Sequence, residues 1–332
     1  MQIRQLNPAE DPHDLAAALP VFLQWSRDYL PGLSPFGEAR LRLWCADGYR
    51  QQTTVFGAFA DERTAEAQGL AIYSTDLDKN LDQAGIHIQV AAGPDAERIL
   101  SALFEQAVRR TVELGRKRLE VGWPESMDPA DFVKRHGGAT LTDTAICSVL
   151  DLSTIDLEQY AAWAEPSAKN SQYTLTRWIG HCPDELAESY CRALDAMADQ
   201  PLGTLEYEFA KHDVERLRFN EQSSERFGGR EYVLAALDPE GNVAGFNVLM
   251  VYPDETGSLD IWDTGVTRDH RGHGLGLRVK ATASLWVLEE EPDMRFMRTF
   301  NNDENTWMLA VNRTMGYRAA VGFPGYEFIV GG

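Results

Sequence analysis

The chain carries 332 residues, 44% of them hydrophobic, and a formal net charge of −20. So acidic a balance excludes non-specific binding to nucleic acid or anionic membrane, which needs basic surface. No apolar run is long enough to span a bilayer, and the opening segment 1–8 lacks the hydrophobic stretch of a signal peptide, so a cytoplasmic protein is expected.

Apolar periodicity and turn residues predict the following elements in chain order. A strand at 2–6 is followed by helical material at 14–29 and 36–45. Strands come next at 53–60, 69–74 and 86–92. A helix at 96–114 has Leu100, Leu103, Ala107, Val108 and Thr111 at helical spacing. A strand at 118–122, a short helix at 129–136, a Gly137-Gly138 stop and a strand at 145–152 complete the first half. A segment at 153–169, helical at 157–164, leads on. The second half predicts a strand at 172–179, a helix at 183–197, and a helix or loop at 214–225. Strands at 231–237, 244–252 and 258–266 precede a helix at 275–290. A strand at 295–301, a helix at 306–315 and strands near 317–322 and 326–330 end the chain.

The two halves run through the same order of elements. A period of about 160 residues is too long for a solenoid and indicates duplicated domains. The expected organisation is a first domain at 1–152, a linker at 153–170 and a second domain at 171–332, in an α/β class with a mixed sheet. Cys45, Cys147, Cys182 and Cys191 form no CxxC pair, so buried idle thiols are expected and no metal site.

The most informative stretch is Val266-Thr267-Arg268-Asp269-His270-Arg271-Gly272-His273-Gly274-Leu275-Gly276-Leu277. It reads as a strand end, a glycine-rich turn and a helix start. Glycines there let backbone N–H groups approach an anion, and the helix N-terminus adds its positive dipole end. A phosphate or pyrophosphate cradle follows. It is neither a P-loop nor the dinucleotide fingerprint, because the glycine spacing differs and no Gly-Lys-Ser/Thr closes it. Arg268, Arg271, Arg278, Lys280, His270 and His273 form a positive island in an acidic chain, which suits a polyphosphate.

The pattern Arg271-x-x-Gly274-x-Gly276 resembles the acetyl-coenzyme A motif of the GNAT superfamily of N-acetyltransferases. A second element, Thr299-Phe300-Asn301 and then Asn305-x-x-Met308-x-x-x-Asn312-x-x-x-Gly316-Tyr317, follows at the superfamily's distance. The resemblance covers about residues 173–332. The duplication is similar to the tandem actinobacterial type that includes mycothiol synthase. It implies two GNAT-like domains, the first degenerate. Where the glycines belong, the first copy has Val90-Ala91-Ala92-Gly93-Pro94-Asp95-Ala96-Glu97, and Asp95 and Glu97 would repel phosphate.

The resemblance implies acetyl-CoA as acyl donor. Backbone N–H groups of Gly272, His273, Gly274, Leu275, Gly276 and Leu277 would bind its pyrophosphate. The N–H near Val266 would bind the thioester carbonyl, and Asn301 and Asn305 the pantetheine arm, helix capping being the alternative for Asn305. The general base would be Asp260, where some members carry a catalytic glutamate, or Asp263, with a solvated strand residue or a substrate-ammonium contact the alternative for either. Strict alternation puts Asp260 on one face with Trp262, Thr264 and Val266, and Asp263 on the other with Leu259, Ile261 and Gly265. A carboxylate on that apolar face needs a reason. Asn312 stands where many members carry the tyrosine that protonates the leaving thiolate. An amide can donate a hydrogen bond but supplies no proton. Glu206, Tyr207 and Glu208 are candidates to hold a cationic amine. Trp307 and Met308 read as core, as does Tyr317.

These readings point to N-acetyl transfer from acetyl-CoA to a primary amine of a small molecule, by direct transfer in a monomer or homodimer. A peptide or protein amine is the second enzymatic reading, and a non-catalytic acyl-CoA-binding regulatory module is the third.

Overall fold

Asp11 accepts backbone hydrogen bonds from His13 and Asp14, and Pro12 follows at the first helical position. An N-cap carboxylate with proline behind it starts a helix. In the computed structural model α1 accordingly runs Pro12–Tyr29, two residues ahead of expectation. The structure describes residues 1–30 and 34–331. Pro31, Gly32 and Leu33 lie outside the described residues, as does Gly332, the final residue of the expected second domain.

Two compact units divide the chain: Met1–Ala145 with Leu202–Glu208 and Val321–Gly332, and Ile146–Pro201 with Phe209–Ala320. The first unit holds β1 (Gln2–Leu6), α1, α2 (Glu38–Cys45), β2 (Gln51–Phe59), β3 (Gly69–Asp76), β4 (Gln83–Val90), α3 (Ala96–Glu113), β5 (Arg118–Gly122) and α4 (Pro129–Arg135). Strand β6 (Thr140–Asp151) crosses the boundary between the units. The second unit continues with α5 (Leu157–Ala164), β7 (Thr174–Ile179), α6 (Asp184–Leu194), α7 (Val214–Arg226), β8 (Arg230–Leu237), β9 (Val243–Val251), β10 (Ser258–Val266), α8 (Leu275–Glu290), β11 (Phe296–Asn302) and α9 (Thr306–Thr314). The ambiguous segment near 214–225 is a helix, because Asp213 caps it by accepting from the Arg216 N–H.

The last strand departs from expectation. One continuous β12 spans Arg318–Ile329, where two strands were predicted. A Cβ at Gly325 would lie 2.6 Å from Asp143 Oδ1. Its missing side chain serves close approach, not chain reversal. Residues Gly325–Ile329 pair antiparallel with β5, so the end of the chain completes the first unit's sheet. The helix expected at 157–164 within the linker is present as α5, which is capped by Asp156 and packs Tyr160 into the core of the second unit.

In each unit antiparallel strands lead to one parallel pair. In the first, β4 and β5 pair over Gln83–Ile86 and Arg118–Val121. In the second, β10 and β11 pair over Ser258–Ile261 and Phe296–Thr299. One face of the second sheet is covered by α8, through Leu275, Val279, Ala283 and Val287. The other face is covered by α6 and α7, through Ala187, Tyr190, Leu194 and Leu217 against Phe246 and Val248. Among the described residues no helix is long and apolar enough to cross a membrane, and no group of side chains has the makings of a metal site.

Candidate active site

The site begins with a fault in β10. Its register against β9 pairs Ile261 with Leu249 and Asp263 with Val248, so Trp262 is an extra residue. A β-bulge inserts one residue, bends its strand and shifts the alternation beyond it. Pairing with β11 stops at Ile261 and Thr299, immediately before the bulge. Past that point β10 has β9 on one side and, among the described residues, no strand paired on the other.

The bulge corrects the expected faces. Residues paired across an antiparallel ladder share a face. Asp260 pairs with Met250, Asp263 with Val248 and Gly265 with Phe246, so the two aspartates share the α6–α7 face. Ile261, Thr264 and Val266 occupy the α8 face. The Thr267 N–H donates to the Ala244 carbonyl. Alternation of paired and unpaired positions then turns the N–H of Val266 away from β9, into the open side of β10.

The aspartates differ in their surroundings. Asp260 is buried, and its Oδ1 accepts from Arg298 Nε at 2.6 Å. Arg298 is fully buried and also donates to Glu255 Oε2 at 2.7 Å. Asp260 is thus one end of a buried ion network. Asp263 is half-buried, and its carboxylate has no hydrogen-bond partner among the described residues. Burial pushes its carboxyl up to about 6. Its negative charge in turn helps raise the Tyr190 hydroxyl and the Glu231 carboxyl, for both of which burial is the larger cause. Glu231, on β8, accepts from Ser224 Oγ at 2.6 Å. Asp263, Glu231 and Tyr190 make one acidic group on the α6–α7 face.

Glu231 was not anticipated. It pairs with Met250, on the same face as Val233 and Ala235. The signal was the one that singled out Asp263: a carboxylate on an apolar strand face.

The glycine turn follows β10 directly and leads into α8. Gly272 has φ +81° and Gly274 has φ +76°, and only glycine takes these values without strain. Helix α8 starts at Leu275, and its first turn-closing bond joins the Arg278 N–H to the Gly274 carbonyl. Among the described residues, no acceptor meets the N–H groups of Gly272, His273, Gly274, Leu275, Gly276 or Leu277. The Leu275 and Leu277 side chains are core, so these two contribute only backbone.

The positive island does not face this nest as one patch. Arg278 is buried and donates to the carbonyls of Ala164, Asn170 and Tyr173. Lys280 is fully buried. Arg268 and Arg271 both bind Asp199, at 3.0 and 2.7 Å, and Arg271 Nε donates to the Val266 carbonyl. Arg271 thereby ties the turn to the end of β10. His270 takes a 2.9 Å hydrogen bond with the Tyr173 hydroxyl, and His273 Nδ1 meets the His270 carbonyl.

On β11 and α9 the amides are already bonded. Asn312 Nδ2 donates to Asn301 Oδ1 at 2.7 Å, and Lys280 Nζ donates to Asn312 Oδ1 at 2.6 Å. Asn305 caps α9, accepting from the Met308 N–H. Tyr317 is buried with its hydroxyl raised well above the ordinary phenol range by burial. Trp307, expected in the core, is 86% exposed, because α9 turns that side of its first turn outward. Glu206, Tyr207 and Glu208 belong to the first unit. There Tyr207 Oη donates to Asp76, Glu208 pairs with Lys79, and Glu206 lies 4.0 Å from Arg118. The structure does not gather them into the unit that holds Asp263.

No family model and no curated protein matches the sequence. Solved structures do. A tandem GNAT protein from the clavulanic acid biosynthesis pathway is 19% identical, with a TM-score of 0.79 over 100% of this chain and 99% of that one. The chain has the tandem GNAT fold. A GCN5-related N-acetyltransferase from Sphaerobacter thermophilus is 15% identical, with a TM-score of 0.60, over 98% of this chain and 95% of its own. Saccharomyces cerevisiae N-myristoyltransferase with bound myristoyl-CoA is 9% identical, with a TM-score of 0.60, over 98% and 78%. None of these is a mycothiol synthase by name. In the second unit the bulged β10, the N–H nest at the head of α8 and the parallel β11 follow one another along the chain.

Proposed function

We propose that the protein is a GNAT-type N-acetyltransferase, moving an acetyl group from acetyl-CoA to a primary amine of a small molecule by direct transfer. The observation that carries this reading is the run of six partnerless backbone N–H groups at the head of α8, beside the open side of β10. Such a nest fits a pyrophosphate without any arginine. Gly272 through Leu277 would hold it, and the Val266 N–H would polarise the thioester carbonyl. The donor supplies the activated acyl group.

Asp263 takes the amine's proton. A base works best with a pKa near the working pH, and a carboxylate whose acid titrates at about 6 can take the proton that a neutral amine sheds as its nitrogen bonds to the acyl carbon. The charges of Asp263 and Glu231 favour a cationic acceptor on the α6–α7 face. Asp260 serves the fold, because its charge is spent on Arg298. We place the reaction in the cytoplasm, in keeping with four buried free cysteines.

Thiol release from acetyl-CoA, measured against a panel of small amines and peptides, tests the reading. Amine-dependent release supports transfer. Tight acetyl-CoA binding with no release for any amine would leave only a binding module.

A further inference from the structure

The amide where the family's tyrosine would stand is not idle. Asn312 is almost wholly buried, and both ends of its amide are bonded. Lys280, on α8, is 0% exposed and reaches Asn312 Oδ1 at 2.6 Å. Among the described residues no carboxylate pairs with it. Its ammonium lies 5.0 Å from the centre of the Tyr317 ring, within reach of the ring's negative face. Other hydroxyls belonging to elements against α8 are Tyr160 on α5 and Tyr232 on β8, and burial raises both, so they stay neutral near pH 7. A lone buried cation without a carboxylate is costly and calls for a purpose.

Hydrogen-bond direction supplies it. A charged lysine only donates. Lys280 therefore fixes Asn312 with its oxygen toward α8 and its NH₂ toward Asn301. Asn301 must then accept through Oδ1, which leaves its own NH₂ outward, without an acceptor among the described residues. Asn301 lies on β11 two residues past Thr299, the last partner of β10, so that NH₂ is on the stretch that has left β10. Serial hydrogen bonds polarise one another, and each dipole here has its positive end turned away from the lysine.

We propose that Lys280, through Asn312, holds the Asn301 amide as the group that stabilises the departing thiolate of the acyl donor. This rests on the acyl-transfer reading above. The amine nitrogen forms the bond to the acyl carbon while the C–S bond breaks and its electron pair passes to sulfur. The amine's proton goes to Asp263, and the sulfur later takes one from solvent. Asn301 is the catalytic contact, and Lys280 and Asn312 are positioning residues. Burial brings Lys280 down to about 7, and the neutral amine still has hydrogens to donate to Asn312 Oδ1, so the orientation does not depend on the charge at the pH where the thiol ionises.

The test needs no amine. The thiol of free CoA bound to the whole protein is titrated by the ultraviolet absorbance of its thiolate, in wild type, Lys280→Met and Asn301→Ala. The protein's own thiols stay silent in that range, since burial raises Cys45, Cys147 and Cys182 to about 12 and Cys191 to about 11. The bound thiol should titrate about one unit below free CoA in wild type and return by about that much in both variants. By linkage, both variants should lose about tenfold more CoA affinity above the thiol's titration than at pH 6, where the thiol is protonated. Should Lys280→Met not fold, Asn301→Ala carries the test, since Asn301 is only half-buried. Equal thiol titration in wild type and Asn301→Ala would overturn the proposal and leave the acyl-transfer reading standing. Failure of wild type to bind CoA would bring down both.

Discussion

Asp263 and Asp260 are three residues apart on one strand, yet they predict opposite mutant behaviour. Asp263→Asn should cut kcat by about 10²–10⁴-fold while acetyl-CoA affinity holds, because a positioned base acts in the chemical step. For wild type, kcat/KM should rise as pH climbs through about 6, where Asp263 ionises, and the variant should lack that limb. Stability runs the other way. Burial raises the Asp263 pKa from 3.8 to about 6, so the folded protein holds this proton more tightly than the unfolded chain. The associated stability is fully present below the unfolded value and is lost as pH rises through about 6. Asp263→Asn should therefore gain roughly 1–3 kcal/mol at pH 8 and nothing below pH 4, read as a shift in Tm. Asp260→Asn should do the reverse. It weakens a buried arrangement with Arg298 and Glu255, so Tm should fall, and kcat of the folded fraction should stay close to wild type. A Tm gain in Asp260→Asn would contradict this assignment. Asp263 was legible from sequence as an anomaly on an apolar face, and Asp260 only through its place in the motif the chain resembles. Their ranking was not, because it depends on Arg298, far along the chain, and nothing local announces that partner.

At the scale of elements, most of the second unit could be read in advance, since helix caps and continuous apolar runs are local. The bulge could not. One extra residue in a strand leaves the hydrophobic pattern nearly intact, and strict alternation then assigns the wrong face to everything beyond it. The positive island misled for a similar reason: Arg278 and Lys280 lie on an α8 that is buried on almost every side, so their charges face inward. What remains at the head of α8 is backbone. Gly274→Asp should accordingly lower acetyl-CoA affinity at least about 100-fold, combining φ +76° strain with a negative charge in the nest. Arg271→Ala should cost less, about tenfold, because the arginine braces the turn through Val266 and Asp199 and leaves the N–H groups in place. Calorimetry on the two folded variants checks the order, and a larger loss for Arg271→Ala would show that a side-chain charge, not the nest, holds the phosphate.

The whole molecule repeats one plan twice, and the repeats have diverged at the phosphate turn. In the first unit, β4 and β5 pair over their opening residues as β10 and β11 do, so the plan is intact. The turn is not. The Ala92 N–H donates to Asp28 Oδ2 at 2.7 Å, and the Ala96 N–H to the Gly93 carbonyl. A carboxylate of the protein itself thus sits on an N–H that a phosphate would need. Asp95 and Glu97, expected to repel an anion there, are paired with Arg98 and Arg135. Their charges are partly offset, so Asp28 is the stronger obstacle. No residue from Ala91 to Asp95 has positive φ, whereas Gly272 and Gly274 both do, and alternating backbone signs are what curl consecutive N–H groups around one anion. Acetyl-CoA should therefore bind once per chain. Titration calorimetry should return one site for wild type and none for Gly274→Asp, while Asp28→Asn should leave the wild-type count unchanged, since removing the carboxylate does not restore the missing glycines. Two sites in wild type, or one surviving in Gly274→Asp, would place a working cradle in the first unit and end the argument from Asp28.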